Sequence, residues 1–301
     1  MRKMLSGNEA IALGAWEAGV AVGCGYPGTP STEILEALHP YPGVYTEWSV
    51  NEKVALEVGL GASIAGGRAL VTMKHVGVNV AADPLFTSAY TGVNAGCVVV
   101  TADDPSMHSS QNEQDNRHYA VAAKLPMFEP STPAEARAFT RAAFELSERY
   151  DTPCFLRTTT RLSHSKGVVP DVDLTVTPAK HPVRVEQNPA KYVMIPGHAR
   201  GRRVDLEARL EELRRGVETH PANVVERRGP VGVITSGVPY SYVREVLPDA
   251  SVLKLGIVHP LPEGLIREFA ASVETLYVVE ELAPVTEPPV RAWGLTCHGK
   301  D

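Results

Sequence analysis

A single carboxylate, Glu52, opens a run of small residues that follows the strand-like segment Tyr45-Thr46-Glu47-Trp48. Held at a helix start beside a buried sheet, and shielded from water, it could exchange a proton with a weakly basic ring nitrogen. The spacing has a second reading. Ser49-Val50-Asn51-Glu52 is an S-x-x-E capping box, in which Glu52 is the N3 residue closing back on the helix start. The turn Tyr26-Pro27-Gly28-Thr29-Pro30 is the next candidate. Its Thr29 hydroxyl and the free N–H groups of a following helix could hold a carboxylate or phosphate. Equally, Thr29 could be a plain N-cap with Pro30 at N1. His75 follows a strand-like run and could serve as a base or donor facing a substrate, or as a structural histidine. The polar stretch from Asp103 to Arg117 is long for a connector, and loops of that length are often functional. Arg117 could pair with a substrate carboxylate, or the whole stretch could be a solvated loop.

These residues need a scaffold, and the pattern predicts one. Ser6-Gly7-Asn8-Glu9 is a capping box for a helix ending near Gly19. Short apolar runs at 20–26, 44–48, 69–73, 97–102 and 154–158 read as strands. Helices are expected from Thr29/Pro30, over 50–66, over 78–91, and from Pro133 to Tyr150 with Thr132 as cap. Continuous apolar strands alternating with helices predict an α/β fold, a doubly wound parallel sheet buried on both faces. Ligands of such sheets bind at the carboxyl ends of the strands, where Glu52, Thr29, His75 and the 103–117 loop all fall. The small residues after Glu52 (Ala55, Gly59, Gly61, Ala62, Ala65) suit either close approach of another backbone or tight helix-on-sheet packing. Residues 1–160 form this first domain. Residues 161–228 read as a connecting arm with a charged, solvated helix over Asp205 to Val217. Residues 229–301 read as a smaller α/β domain with strands at 231–235, 251–255 and 275–279.

Composition narrows the function classes. The 301 residues carry 29 basic and 35 acidic side chains, a net charge of -6, without a dense Lys/Arg patch, so nucleic acid is not an expected partner. No apolar run reaches the length of a membrane span, and Met1-Arg2-Lys3-Met4-Leu5 leads into no signal-like apolar region. The cysteines Cys24, Cys97, Cys154 and Cys297 form no C-x-x-C pair, which argues against a zinc or iron–sulfur framework and for buried, reduced thiols in a cytoplasmic protein. Neither G-x-x-x-x-G-K-[ST] nor a strand-linked G-x-G-x-x-G is present, and Gly59-Leu60-Gly61 lies inside an expected helix.

Four ordered motifs carry a resemblance: Gly25 to Glu33, Glu47 to Ala55, Val71 to Pro84, and Ala102 to Asp115. Together they resemble the α subunits of the indolepyruvate type within the 2-oxoacid:ferredoxin oxidoreductases. The resemblance continues over 229–301, similar to the family's transketolase C-terminal-like domain, and is weakest over 161–228. It implies a pyrimidine-binding thiamine diphosphate domain, with Glu52 as the carboxylate that activates the cofactor. It places Gly28 near the cofactor, and Thr29, Tyr26, His75 and Arg117 near the substrate. The implied reaction is oxidative decarboxylation of an aryl 2-oxoacid to an acyl-CoA, with electrons passed to ferredoxin. The Gly-Asp-Gly…Asn pattern for Mg²⁺ and diphosphate is missing from the sequence. That site and the Fe–S clusters are therefore expected in a partner subunit of the β or γ type, or in a continuation past Asp301, and activity only once they are supplied. Two other readings stay open: a component of a non-oxidative thiamine-dependent 2-oxoacid decarboxylase, and a non-catalytic scaffolding domain.

Overall fold

A computed structural model describes residues 1–175, 185 and 187–300. The expected parallel sheet has seven strands. From edge to edge they are Ile257–His259, Met127–Phe128, Cys154–Thr159, Cys97–Asp103, Ala69–Lys74, Val22–Gly25 and Tyr45–Trp48. Every neighbouring pair is parallel except the first, where Ile257–His259 runs antiparallel to Met127–Phe128. Successive side chains go to opposite faces, as the strand period requires. Leu70, Val98, Val100 and Leu156 join Ile11, Leu13 and Phe144 in one core. Val71, Met73, Val99 and Phe155 join Ala55, Leu56 and Leu85 in the other. Helices Gly7–Glu17 and Pro133–Arg149 cover the first face, and Glu52–Ile64 and Ala82–Thr91 the second.

The helix starts test the capping signals one by one. Ser6 and Glu9 form the expected box, and Thr132 accepts from the Glu135 amide with Pro133 at N1. Thr29 does not cap. Its helix begins only at Thr32, because the turn before it closes locally: the Gly28 amide donates to the Thr32 hydroxyl at 2.9 Å, and the Ser31 hydroxyl donates to the Gly28 carbonyl at 2.8 Å. The box at 49–52 is also absent. Asn51 is the cap, accepting from the Val54 amide at 2.9 Å, so Glu52 is the first helical residue rather than the third. The helical segment expected over 78–91 begins earlier and is divided into His75–Val80 and Ala82–Thr91.

The segment 161–228 has three jobs. Lys166–Val169 pairs antiparallel with Lys3–Ser6, so it belongs with the first domain. Val224–Glu226 is the antiparallel edge of a second sheet, ordered Thr275–Val279, Val231–Ser236, Ser251–Leu255, Val224–Glu226. Between them the helix Pro196–Val217 starts well before Asp205, and it is not merely solvated. Leu206, Leu210, Leu213 and Val217 are buried, while Arg202 and Arg209 donate to the carbonyls of Tyr90 and Ala89 at the end of helix Ala82–Thr91. Those donors satisfy carbonyls that a helix end leaves unpaired. Residues 176–184 and 186 of the expected arm, and Asp301, lie outside the described residues. Among the described residues no helix is long and apolar enough to cross a membrane.

Candidate functional site

Strands Val22–Gly25, Tyr45–Trp48 and Ala69–Lys74 are neighbours and parallel, so their carboxyl ends open on one side of the sheet. The segments leaving them are the Tyr26–Ser31 turn, Ser49–Glu52 and the start of helix His75–Val80. Contacts tie these together. A Cβ on Gly28 would lie 3.2 Å from Cβ of Lys74, and a Cβ on Gly77 would lie 2.8 Å from Oε1 of Glu52. Lys74 Nζ in turn donates to the Ser109 carbonyl in the 103–117 loop at 2.9 Å.

Glu52 is 9% exposed, and no hydrogen-bond or ion-pair partner engages its carboxylate among the described residues. The residue is buried as a whole, while its oxygens keep a small opening to solvent. The capping role that the spacing offered is taken by Asn51, which leaves the Glu52 oxygens free for a group from outside. The helix behind it packs hard on the sheet: a Cβ on Gly59 would lie 2.3 Å from Cγ2 of Val71. At that position tight helix-on-sheet contact is the reason for the small residue.

His75 is wholly buried at the first residue of its helix, with Nε2 3.2 Å from the Ser110 hydroxyl. The Ser110 proton goes to Asp104 Oδ2 at 2.6 Å. Burial opposes ionisation of Asp104, but the hydroxyls of Ser110 and Thr160 and the amides of Ser109 and His108 bring its carboxyl down to about 2. Ser110 therefore accepts from His75, and Nε2 carries the imidazole proton. Burial, then Lys74, lowers the pKa of His75, so the ring is neutral and its Nδ1 is a lone pair, buried and without a partner among the described residues. The order Asp104–Ser110–His75 was not apparent in the sequence. The pair Asp103-Asp104 at a strand end was its only outward sign.

Thr29 and Tyr26 are exposed on the turn beside this group. Arg117 is elsewhere. It is 1% exposed, and its guanidinium is committed within the chain: Nε and Nη2 to Asp115, Nη1 to Glu280, and Nη2 also to the carbonyls of Glu281 and Ala283. The expected pairing with a substrate carboxylate has no free donor face here, because the side chain ties the two sheets together. Beside it, the wholly buried Arg157 binds Asp103 at 2.7 Å and also pairs with Glu129. Burial raises the Asp103 carboxyl to about 6 against the pull of Arg157.

The family model for pyruvate flavodoxin/ferredoxin oxidoreductase, thiamine diphosphate-binding, matches residues 13–224. The indolepyruvate oxidoreductase subunit IorA of Archaeoglobus fulgidus is 50% identical over 98% of this chain, and that of Thermococcus kodakarensis 43% identical over 100% of it. In both cases the match takes in 49% of the relative, so the chain spans about half the length of these curated relatives. Among solved structures, 2-oxoglutarate:ferredoxin oxidoreductase from Magnetococcus marinus superposes with a TM-score of 0.83 at 16% identity, over 99% of this chain and 62% of that one. A split-gene transketolase superposes with a TM-score of 0.62 at 15% identity, over 97% of this chain and 86% of that one. These structures share the fold: the mixed α/β architecture with a parallel sheet is that of the 2-oxoacid oxidoreductases and transketolases. By the extent of the family match and the identity to oxidoreductase subunits, the chain belongs to the pyruvate flavodoxin/ferredoxin oxidoreductase family, in its thiamine diphosphate-binding part.

Proposed function

We propose that this chain is the pyrimidine-holding part of an indolepyruvate-type 2-oxoacid:ferredoxin oxidoreductase, with Glu52 as the acid that faces the cofactor. The observation carrying this reading is the state of Glu52: buried, first in its helix, at the carboxyl ends of three parallel strands, and unengaged by any of the described residues. Its oxygens keep a small opening to solvent, which fits a group that reaches them from outside and offers a basic ring nitrogen. Thiamine diphosphate, when bound, supplies a thiazolium carbon that accepts the charge released by decarboxylation. Glu52 would hold the proton on the pyrimidine ring nitrogen, and the low-dielectric wall of the sheet would strengthen that contact.

Gly28 lets the turn sit close against Lys74, and would stand near the cofactor. Thr29 and Tyr26 would border an aryl 2-oxoacid from the exposed side of the turn. The neutral His75 is wholly buried, so it would stand behind the substrate site and act through Ser110 rather than touch the substrate. The diphosphate and Mg²⁺ site, the Fe–S clusters and the contacts to ferredoxin and CoA would come from the remainder of the assembly. The half-length match to the IorA relatives supports that division. Four free, buried cysteines suit a reducing cytoplasm.

The test is reconstitution. The chain is mixed with a partner supplying the diphosphate site, thiamine diphosphate, Mg²⁺ and CoA, and arylpyruvate-dependent dye reduction is followed. Turnover is expected only in the mixture, and its loss in Glu52→Gln. A mixture that turns over equally well with Glu52→Gln removes the assignment. CO₂ release without dye reduction would favour the non-oxidative decarboxylase, and assembly without cofactor binding would favour a scaffold.

A further inference from the structure

We infer that Gly77 is a positioning residue for Glu52, its missing side chain being what lets the carboxylate lie where it does. The inference rests on the reading of Glu52 as the cofactor-facing acid. Gly77 is the third residue of helix His75–Val80, and its φ is not in the left-handed region, so the backbone does not call for glycine. Helix propensity favours alanine there. The reason for glycine is found in the neighbour. A Cβ on residue 77 would lie 2.6 Å from Cγ, 2.8 Å from Oε1 and 3.0 Å from Cδ of Glu52, and these are the three nearest atoms. All three belong to the one side chain, at the start of helix Glu52–Ile64, and none to the sheet. Gly59 is the opposite case, since its nearest neighbours are Val71, Cys24 and Ala69, which are core.

A methyl group at 77 would press on the Glu52 side chain first and turn it. Among the described residues the carboxylate has no bond to hold it against that push. Its place is therefore set by shape: the start of helix Glu52–Ile64 on one side and the bare Cα of Gly77 on the other. A shift of about 1 Å in a group that must meet a ring nitrogen costs about 10²-fold in rate.

Two measurements test this. On the chain alone, Gly77→Ala is made in the wild-type and in the Glu52→Ala backgrounds, and Tm is read for each. The expected result is a background-dependent shift: Gly77→Ala raises Tm clearly where Glu52 is absent and raises it less, or lowers it, where Glu52 is present. An equal shift in both backgrounds overturns the inference, because a glycine needed only for the fold would lose stability regardless of residue 52. In the reconstituted assembly at saturating cofactor, Gly77→Ala is expected to lower turnover about 10²-fold and to add no further loss to Glu52→Gln. If Glu52→Gln is inactive while Gly77→Ala keeps wild-type turnover, the role of Gly77 alone falls. If Glu52→Gln keeps full turnover, the catalytic reading of Glu52 falls and this inference with it.

Discussion

Arg117 Nη1 donates to Glu280 Oε2 at 2.8 Å, and the two side chains are each 2% exposed. One stands at the start of a helix that follows the 103–117 loop, the other just past strand Thr275–Val279 of the second sheet. A buried pair is strongly destabilised when one member is removed, since the other charge is left bare. Arg117→Ala is expected to cost about 3–5 kcal/mol in urea unfolding. Adding Glu280→Gln should recover part of that loss, because the bare charge is removed with it. A cost below about 1 kcal/mol in the single variant would mean that the clamp is not closed in solution.

The reassigned cap makes a sharper local prediction. Asn51→Ala should lower stability by about 1 kcal/mol, because its side chain alone accepts from the Val54 amide. Ser49→Ala should change stability far less, since the Ser49 hydroxyl donates to Glu47 and takes no part in the helix start. Denaturant midpoints of the two variants decide between the observed cap and the S-x-x-E box.

Two glycines of one helix should respond in opposite directions. Gly59→Ala forces a Cβ to 2.3 Å from Val71 and should cost about 1–3 kcal/mol through overpacking. Gly61→Ala meets nothing within 4 Å and should gain about 0.5–1 kcal/mol from helix propensity. Thermal unfolding of the two variants side by side is the check.

His259 gives the chain a pH signature. Burial pushes its pKa down to about 4, while its Nδ1–H donates to the Leu125 carbonyl at 2.8 Å. Below the ordinary histidine value of 6.5 the unfolded chain takes up a proton that the folded chain refuses. This residue's contribution is therefore complete above pH 6.5 and is lost as pH falls from 6.5 to about 4. His259→Asn, which keeps a donor for Leu125, should flatten the stability profile across that window. Identical slopes for wild type and variant would show that His259 does not govern it.

The parallel sheet and its two cores were legible because continuous apolar strands leave few alternatives. The five apolar runs became strands, whereas Lys3–Ser6, Met127–Phe128 and Lys166–Val169 were not foreseen. Helix starts were less legible. Thr29-Pro30 has the composition of an N-cap and N1, yet Ser31 and Thr32 close the turn on Gly28 and delay the helix. At 49–52 two good cap residues compete, Ser49 and Asn51, and spacing alone favours the wrong one. Arg117 was misread because its partner Glu280 lies 163 positions away in sequence. The Asp104–Ser110–His75 order was hidden for the same reason, since it depends on how a long loop folds back on a strand end. Gly77 sat in plain view, but a glycine's meaning is set by the atom it makes room for.

The antiparallel strand Ile257–His259 bears on how the molecule comes apart. It comes from the second half of the sequence, yet it covers Met127–Phe128, which would otherwise be the bare rim of the seven-stranded sheet. Open rims of that kind recruit other chains, and apolar ones do so readily. Separating the halves would uncover Met127 and Phe128 along with unpaired backbone. The first half expressed alone would carry an adhesive border, and the two halves should melt in a single cooperative transition.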